Sequence, residues 1–239
     1  MTCEHERRLQ QMESWYEELL SGEGCEHQFL CDYQPHRDFL KSLRGDVLDI
    51  GGGAGVAGRF LDPSVSYTIV EPLDFWRSTR WLEFGRRFRL TGPEPRFVKA
   101  GGEALPFADD SFDVALAFWS LNHAADPARC MSEIIRVLRP GGAARIVLED
   151  MEPRWADLIR DIRPRLFDRF TKVRRQASIQ MRFADALRMK VAGNWPLQED
   201  HIRIREADLL RVARTQRLVR RQWLGGWLTL DFVKRTTAN

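Results

Sequence analysis

Residues 46–55 read Asp-Val-Leu-Asp-Ile-Gly-Gly-Gly-Ala-Gly, and no other stretch constrains the fold as strongly. Val47, Leu48 and Ile50 form a short apolar run, the pattern of a strand buried on both faces of a parallel sheet. Gly51, Gly53 and Gly55 then alternate along the chain. Glycine adopts backbone angles closed to other residues and carries no side chain to hold a ligand off. A strand ending in such a loop and running on into a helix lets a nucleotide-like molecule lie against the backbone at the carboxyl end of the sheet. Asp49, one residue before the end of the strand, is expected to face that crevice.

The glycines alone leave two kinds of ligand open. A dinucleotide fingerprint is Gly-x-Gly-x-x-Gly directly after the strand, with an acid about 20 residues on. Counted from Gly51, the last glycine falls on Val56; counted from Gly53, the pattern is met by Gly55 and Gly58 but starts two residues late. Glu71 follows the strand-like run 67–70 and suits either ligand, because a carboxylate accepts both hydroxyls of a ribose.

The downstream sequence separates the two. Residues 103–113 read Glu-Ala-Leu-Pro-Phe-Ala-Asp-Asp-Ser-Phe-Asp, ahead of the apolar run 114–119. Leu121-Asn122-His123, Asp126-Pro127 and Ile134-Ile135-Arg136-Val137-Leu138-Arg139-Pro140-Gly141-Gly142 follow. Together with the glycine loop, this ordered set resembles the class I S-adenosylmethionine-dependent methyltransferases, in particular the group acting on small molecules. The resemblance covers roughly residues 45–150. It implies S-adenosyl-L-methionine as cofactor and S-adenosyl-L-homocysteine as product. It implies that Gly51, Gly52, Gly53 and Gly55 approach the methionine and ribose portions and that Asp49 orients the amino group. Glu71 would bind the ribose hydroxyls, Pro72 and Leu73 would lie at the adenine face, and Phe118 and Trp119 would close the pocket near the methionine. Where the family reads adenine with an acid and a small residue, this chain has Gly101 and Gly102, so the backbone at Gly102 and the side chain of Glu103 are expected there.

The order of elements implies an α/β fold: a Rossmann-like, mostly parallel seven-stranded sheet with right-handed crossovers and an antiparallel edge hairpin. Strands are predicted at 46–50, 67–71, 96–99, 112–118, 144–149, 217–224 and 226–234, the last two as the hairpin. Helices are predicted at 4–21, 35–43, 55–61, 73–90, 127–138 and 206–215, with Gly141-Gly142 turning the chain into the fifth strand. One domain is expected over 1–239, with a helical lid (1–44), a cofactor-binding core (45–150), a helical insertion (151–200) and a closing helix and hairpin (201–239).

An apolar fraction of 44% over 239 residues supports a sizeable core. No apolar run approaches the ~20 residues of a membrane span, and the polar first 30 residues read as no signal peptide. Four cysteines without Cys-x-x-Cys spacing suit a reducing cytoplasm. Cys25, His27, Cys31 and His36 cluster in sequence, but their spacings match no common structural zinc site, and no metal is expected. Residues 152–239 hold 20 basic and 10 acidic residues (+10), leaving 17 and 24 (−7) in residues 1–151. A basic half can signal RNA, yet these charges alternate with apolar residues as on a solvated helix face, so nucleic acid is the lesser reading.

Methyl transfer from a sulfonium is an in-line displacement, driven largely by holding the nucleophile close and aligned. His123, just past the fourth strand, is the candidate general base and a candidate substrate contact; His201 is a second candidate base. Trp15, Tyr16 on the first helix and Tyr33 in the following loop are candidate substrate contacts, with Trp155, Phe167, Phe170, Phe183 and Trp195 of the insertion as further pocket aromatics. The Asn/Asp-Pro-Pro-aromatic motif used on amino groups of bases or glutamine is absent after the fourth strand. The expected activity is methyl transfer to an oxygen or nitrogen of a small molecule, such as a secondary metabolite, by a monomer or homodimer. The rivals are an RNA-associated protein and a nicotinamide-dependent oxidoreductase.

Overall fold

The computed structural model describes residues 3–21, 24–158, 183–224 and 226–236. Seven strands, β1 (Asp46–Ile50), β2 (Ser66–Val70), β3 (Arg96–Val98), β4 (Phe112–Phe118), β5 (Leu138–Leu148), β6 (Arg217–Leu224) and β7 (Trp227–Val233), form one sheet in the order β3-β2-β1-β4-β5-β7-β6. The first five pair in parallel; β7 pairs antiparallel with both β5 and β6. The predicted fold class is therefore the observed one. The order reverses between β1 and β4, and a crevice outside the strand ends at such a point is where open α/β sheets bind ligands.

Side chains along the central strands part with period two. Val47, Val114, Leu116 and Phe118 join one apolar cluster. It is built with Phe29 and Tyr33 of α2 (Cys25–Tyr33), Leu40 of α3 (Arg37–Ser42), and Trp81, Phe84 and Phe88 of α4 (Thr79–Arg89). Leu48, Ile50, Ala115 and Ala117 join the opposite cluster, with Met131 and Ile134 of α5 (Pro127–Val137). Burial on both faces is why these strands read as continuous apolar runs. The long α1 (Cys3–Ser21) lays Tyr16, Leu19 and Leu20 on the first cluster. Two further helices are α6 (Phe183–Ala192) and α7 (Glu206–Val212).

Four local expectations are corrected. Tyr33 is not in a loop: Cys25, Phe29 and Tyr33, four apart, bury one face of α2, a helix the Cys/His-rich reading overlooked. The stretch 55–61 is a 3-10 turn (Val56–Phe60), because Gly55 enters it left-handed (φ 76°) and Leu61 leaves it extended. The 73–90 helix breaks at extended Ser78 into a 3-10 turn (Asp74–Arg77) and α4. Gly141-Gly142 lies within β5, where the ladder to β4 shifts register, and Lys234 bonds both Gly141 N and Gly142 O at 2.9 Å. Between the Phe112–Leu138 and Val114–Ala143 pairs β5 carries three more residues than β4, an enlarged bulge. Phe167 and Phe170 lie outside the described residues.

The β5–β7 register sets Arg145 opposite Asp231, and the guanidinium donates to both carboxylate oxygens at 2.7 Å. Arg145 also lies 3.5 Å over the Phe39 ring. In the basic second half, Arg154, Arg205, Arg211, Arg221 and Lys234 form ion pairs within the fold. Among the described residues no helix is long and apolar enough to cross a membrane.

Candidate active site

The chain leaves β1 through a bend that only glycine fits. Gly51, Gly53 and Gly55 have φ of 69°, 53° and 76°, in the left-handed region. A Cβ on Gly51 would stand 2.4 Å from Ser120 Cβ, and one on Gly52 would stand 2.6 Å from Asp49 Oδ2. The Gly51 N–H donates to Val70 O at 2.8 Å. The bend is thus wedged between the ends of β2 and β4, with its backbone turned to the crevice.

Two acids flank it. Asp49 is buried on the first face of β1 and accepts a 2.6 Å hydrogen bond from Tyr67 Oη. Burial raises its pKa to about 6, against the pull of that bond. Glu71, at the end of β2, is 5% exposed. Burial pushes it up to about 8, opposed by hydrogen bonds from the N–H groups of Leu73, at 3.3 Å, and Gly53. These donors are neutral, so two desolvated carboxyls line a backbone cradle. That arrangement fits a ligand bringing positive charge or paired hydroxyls.

The bend is covered by a residue that sequence reasoning missed. Trp76 ring atoms lie 3.2–3.3 Å from where a Gly53 Cβ would stand. Tyr16 packs edge-on against Trp76 with centroids 4.5 Å apart, Trp15 against Tyr16 at 4.7 Å, and Trp81 against Trp76 at 4.7 Å. The 3-10 turn ahead of the break at Ser78 carries Trp76 over the glycines. Pro72 is exposed and Leu73 half-buried beside this cover. Trp15 is half-exposed, whereas Tyr33 is buried among Phe60, Phe118 and Trp119. Trp155 is exposed and Trp195 half-buried. Glu103 Oε1 accepts from the N–H groups of Ala125 at 2.8 Å and Asp126 at 3.3 Å, capping that turn. Gly102 fits closely, since a Cβ there would be 3.0 Å from Ile50 Cγ2.

Gly53→Val is expected to lower stability by about 1–2 kcal/mol from the left-handed backbone alone, and more from the clash with Trp76. It should also remove ligand space, so binding at the bend is lost; urea unfolding and calorimetry read the two effects.

At the end of β4 the backbone is strained at Trp119, a bulky residue with φ 58°. Trp119 Nε1, Ser120 Oγ and His123 Nδ1 are buried without hydrogen-bond partners. Such orphaned groups are costly; of the three, Ser120 abuts Gly51, and His123 Nδ1 lies 3.5 Å from Asp200 Oδ2. His123 lies in a 3-10 turn, its ring 4.6 Å from that of His201. Burial, then the neighbouring His201, depress its pKa to about 3. The shift favours a neutral imidazole near pH 7. His201 is shifted the other way by its carboxylate neighbours, with Asp150 Oδ2 2.8 Å from Nδ1, although burial opposes them. Asn122 is structural, exchanging two hydrogen bonds with the Glu149 backbone at 3.0 and 3.1 Å.

Comparison with known proteins agrees with this geometry. Residues 48–146 match the methyltransferase domain family. A Mycobacterium sp. (strain KMS) protein described as an uncharacterized methyltransferase is 41% identical over 99 residues, covering 41% of this chain and 36% of the relative. A demethylmenaquinone methyltransferase of Clavibacter sepedonicus is 36% identical over 115 residues, 48% of this chain and 44% of that protein. The chain thus spans less than half the length of these relatives.

Among solved structures, the 1,6-didemethyltoxoflavin-N1-methyltransferase of Burkholderia thailandensis, with bound 1,6-didemethyltoxoflavin and S-adenosylhomocysteine, superposes with TM-score 0.58 at 16% identity. The match covers 99% of this chain and 92% of that one. A Thermotoga maritima methyltransferase described as a possible histamine N-methyltransferase gives TM-score 0.55 at 19% identity, over 96% and 99%. At such identities these structures speak to the fold alone. The central segment, residues 48–146, is thus similar to a methyltransferase domain, and the sheet has the fold of these methyltransferase structures.

Proposed function

We propose that this protein transfers the methyl group of S-adenosyl-L-methionine to an oxygen or nitrogen of a small molecule, releasing S-adenosyl-L-homocysteine. The observation that carries this reading is the all-glycine bend wedged between β2 and β4 with Asp49 and Glu71 beside it. When bound, the cofactor supplies a methyl group already made electrophilic by its sulfonium. The chain's own residues bind, orient and exclude water.

In this reading the backbone of residues 51–55 would hold the methionine and ribose portions. Asp49, held by Tyr67, orients the amino group, and Glu71 accepts the two ribose hydroxyls. Leu73 and Trp76 bracket the adenine face, with the Gly102 backbone at the ring edge. Phe118 and Trp119 close the methionine end, while Trp15, Tyr16 and Tyr33 border the acceptor's side. Positioning is worth up to ~7–11 kcal/mol in such displacements, so a neutral His123 serves as a polar wall without being a strong base. Trp76 and α1 cover the bend, so binding displaces the indole from Gly53.

A thermal-shift comparison tests the assignment against the nicotinamide alternative. S-adenosyl-L-homocysteine at ~1,000 times its Kd stabilises by about 4 kcal/mol, roughly 8–16 °C for a chain of this size. NAD is expected to leave Tm unchanged. A shift with NAD and none with S-adenosyl-L-homocysteine contradicts the proposal.

A further inference from the structure

A second group of side chains gathers beyond the ends of β4 and β5. His123, Asp200 and His201 present ligand atoms that all lie within 4.8 Å of one another. Glu149 adds Oε2 at 3.4 Å from His201 Nε2. The turns carrying them are tied together, since the Ile202 N–H donates to Asn122 O at 2.9 Å and the His201 N–H to Gln198 O at 3.2 Å.

Two independent features point to a cation between these groups. The first is how His201 is held. Its Nδ1 lies 2.8 Å from Asp150 Oδ2, and Asp150 is itself fixed by a left-handed backbone (φ 51°) and by the Gln198 N–H at 2.8 Å. His201 Nε2 stands 3.4 Å from Glu149 Oε2 and 4.0 Å from Asp200 Oδ1, separations longer than a good hydrogen bond and open to a cation. A carboxylate on the far nitrogen is also the usual way a metal-binding imidazole is oriented. The second feature is His123 Nδ1, a buried nitrogen with no hydrogen-bond partner, 3.5 Å from Asp200 Oδ2.

The spacing agrees with tetrahedral coordination. Bonds of ~2.1 Å to a tetrahedral ion separate the ligand atoms by about 3.4 Å, and the nitrogen–oxygen pairs of the cluster stand at 3.4, 3.5 and 4.0 Å. Two imidazoles with two carboxylates suit zinc or cobalt(II) rather than calcium or magnesium, which take all-oxygen sets.

We propose that His123, Glu149, Asp200 and His201 form a binding site for a divalent transition metal of the zinc–cobalt class, with Asp150 orienting His201. His123 follows Ser120, which abuts Gly51, so the ion would stand at the acceptor's side of the crevice. The site is argued from these residues alone. It is tested by metal binding, so it stands or falls separately from the methyl-transfer reading.

The test uses the full chain without a histidine tag, stripped by chelator and dialysed against Zn²⁺ or Co²⁺. One tightly held equivalent of zinc is expected, and the Co²⁺ form should show the visible absorption of a tetrahedral N/O site. His123→Gln and His201→Gln should each lower zinc affinity at least tenfold, and Asp150→Asn about 10–100-fold, as loss of an orienting carboxylate does. His27→Ala, on the outer part of α2, should change nothing. Circular dichroism checks that each variant folds; should His201→Gln fail, His123→Gln and Asp150→Asn decide. Absence of bound metal, equal affinity in the folded variants, or loss of metal in His27→Ala would overturn the proposal.

Discussion

Glu71→Gln is expected to stabilise the ligand-free protein at pH 8–9 and to weaken its hold on S-adenosyl-L-homocysteine at least tenfold. The first effect follows from burial, which raises Glu71 from an ordinary 4.5 to about 8. The folded protein then binds a proton that the unfolded chain releases. That favours the folded state at acid pH, and the advantage is lost as pH rises toward 8. Above that, a buried charge without a cationic partner strains the fold by a few kcal/mol, with ~1.4 kcal/mol per pKa unit as the ceiling. Glutamine carries no charge, so the gap between variant and wild type should open between pH 5 and 8, as urea melts across that range would report. The second effect follows from the ribose hydroxyls, whose hydrogen bonds to a charged acceptor contribute about 1.5–3 kcal/mol, or 10- to 150-fold. Unchanged affinity by calorimetry removes Glu71 from the ribose site; a pH-independent gap in stability contradicts the burial argument. Both results together would mark Glu71 as a residue that trades stability for binding, as functional sites commonly do.

Asp231→Ala should cost about 3–5 kcal/mol of folding stability. The Arg145–Asp231 pair is bidentate and nearly dry, with side chains 4% and 14% exposed. Removing one partner leaves an uncompensated charge between β5 and β7, which is the expensive way to break such a pair. The double variant Arg145→Met, Asp231→Leu should recover most of the loss, because a well-packed apolar pair can replace a buried ion pair. Guanidinium unfolding of the three variants reads this; a single variant within 1 kcal/mol of wild type would mean that Arg145 finds another partner, its stacking on Phe39 being the nearest.

The strands were legible because burial on two faces writes itself as an apolar run. β1 and β4 have the predicted bounds, 46–50 and 112–118, around their runs, and β6 and β7 follow from the break at Gly225-Gly226. Single glycines and short polar stretches carried less. Gly141-Gly142 reads as a turn, yet β5 runs through it as a bulge, because Lys234 of the neighbouring strand's extension supplies the ladder bonds. α2 is nine residues long with only Cys25, Phe29 and Tyr33 buried, too short a repeat to stand out among its Cys, His and acidic residues. At the site, the glycine bend and its two acids could be read from local sequence, since their roles depend on backbone angles and strand ends. Trp76 over Gly53, Glu103 on the 125–126 backbone, and the meeting of His123 with His201 could not, because each depends on elements far apart in the chain.

A crystal structure with S-adenosyl-L-homocysteine bound tests the central claim most directly. The account predicts the ligand along residues 51–55, with both ribose hydroxyls within hydrogen-bond distance of Glu71 and the Trp76 indole moved off Gly53. A structure at saturating ligand in which Trp76 still covers the glycines, with the ligand elsewhere or absent, would contradict it.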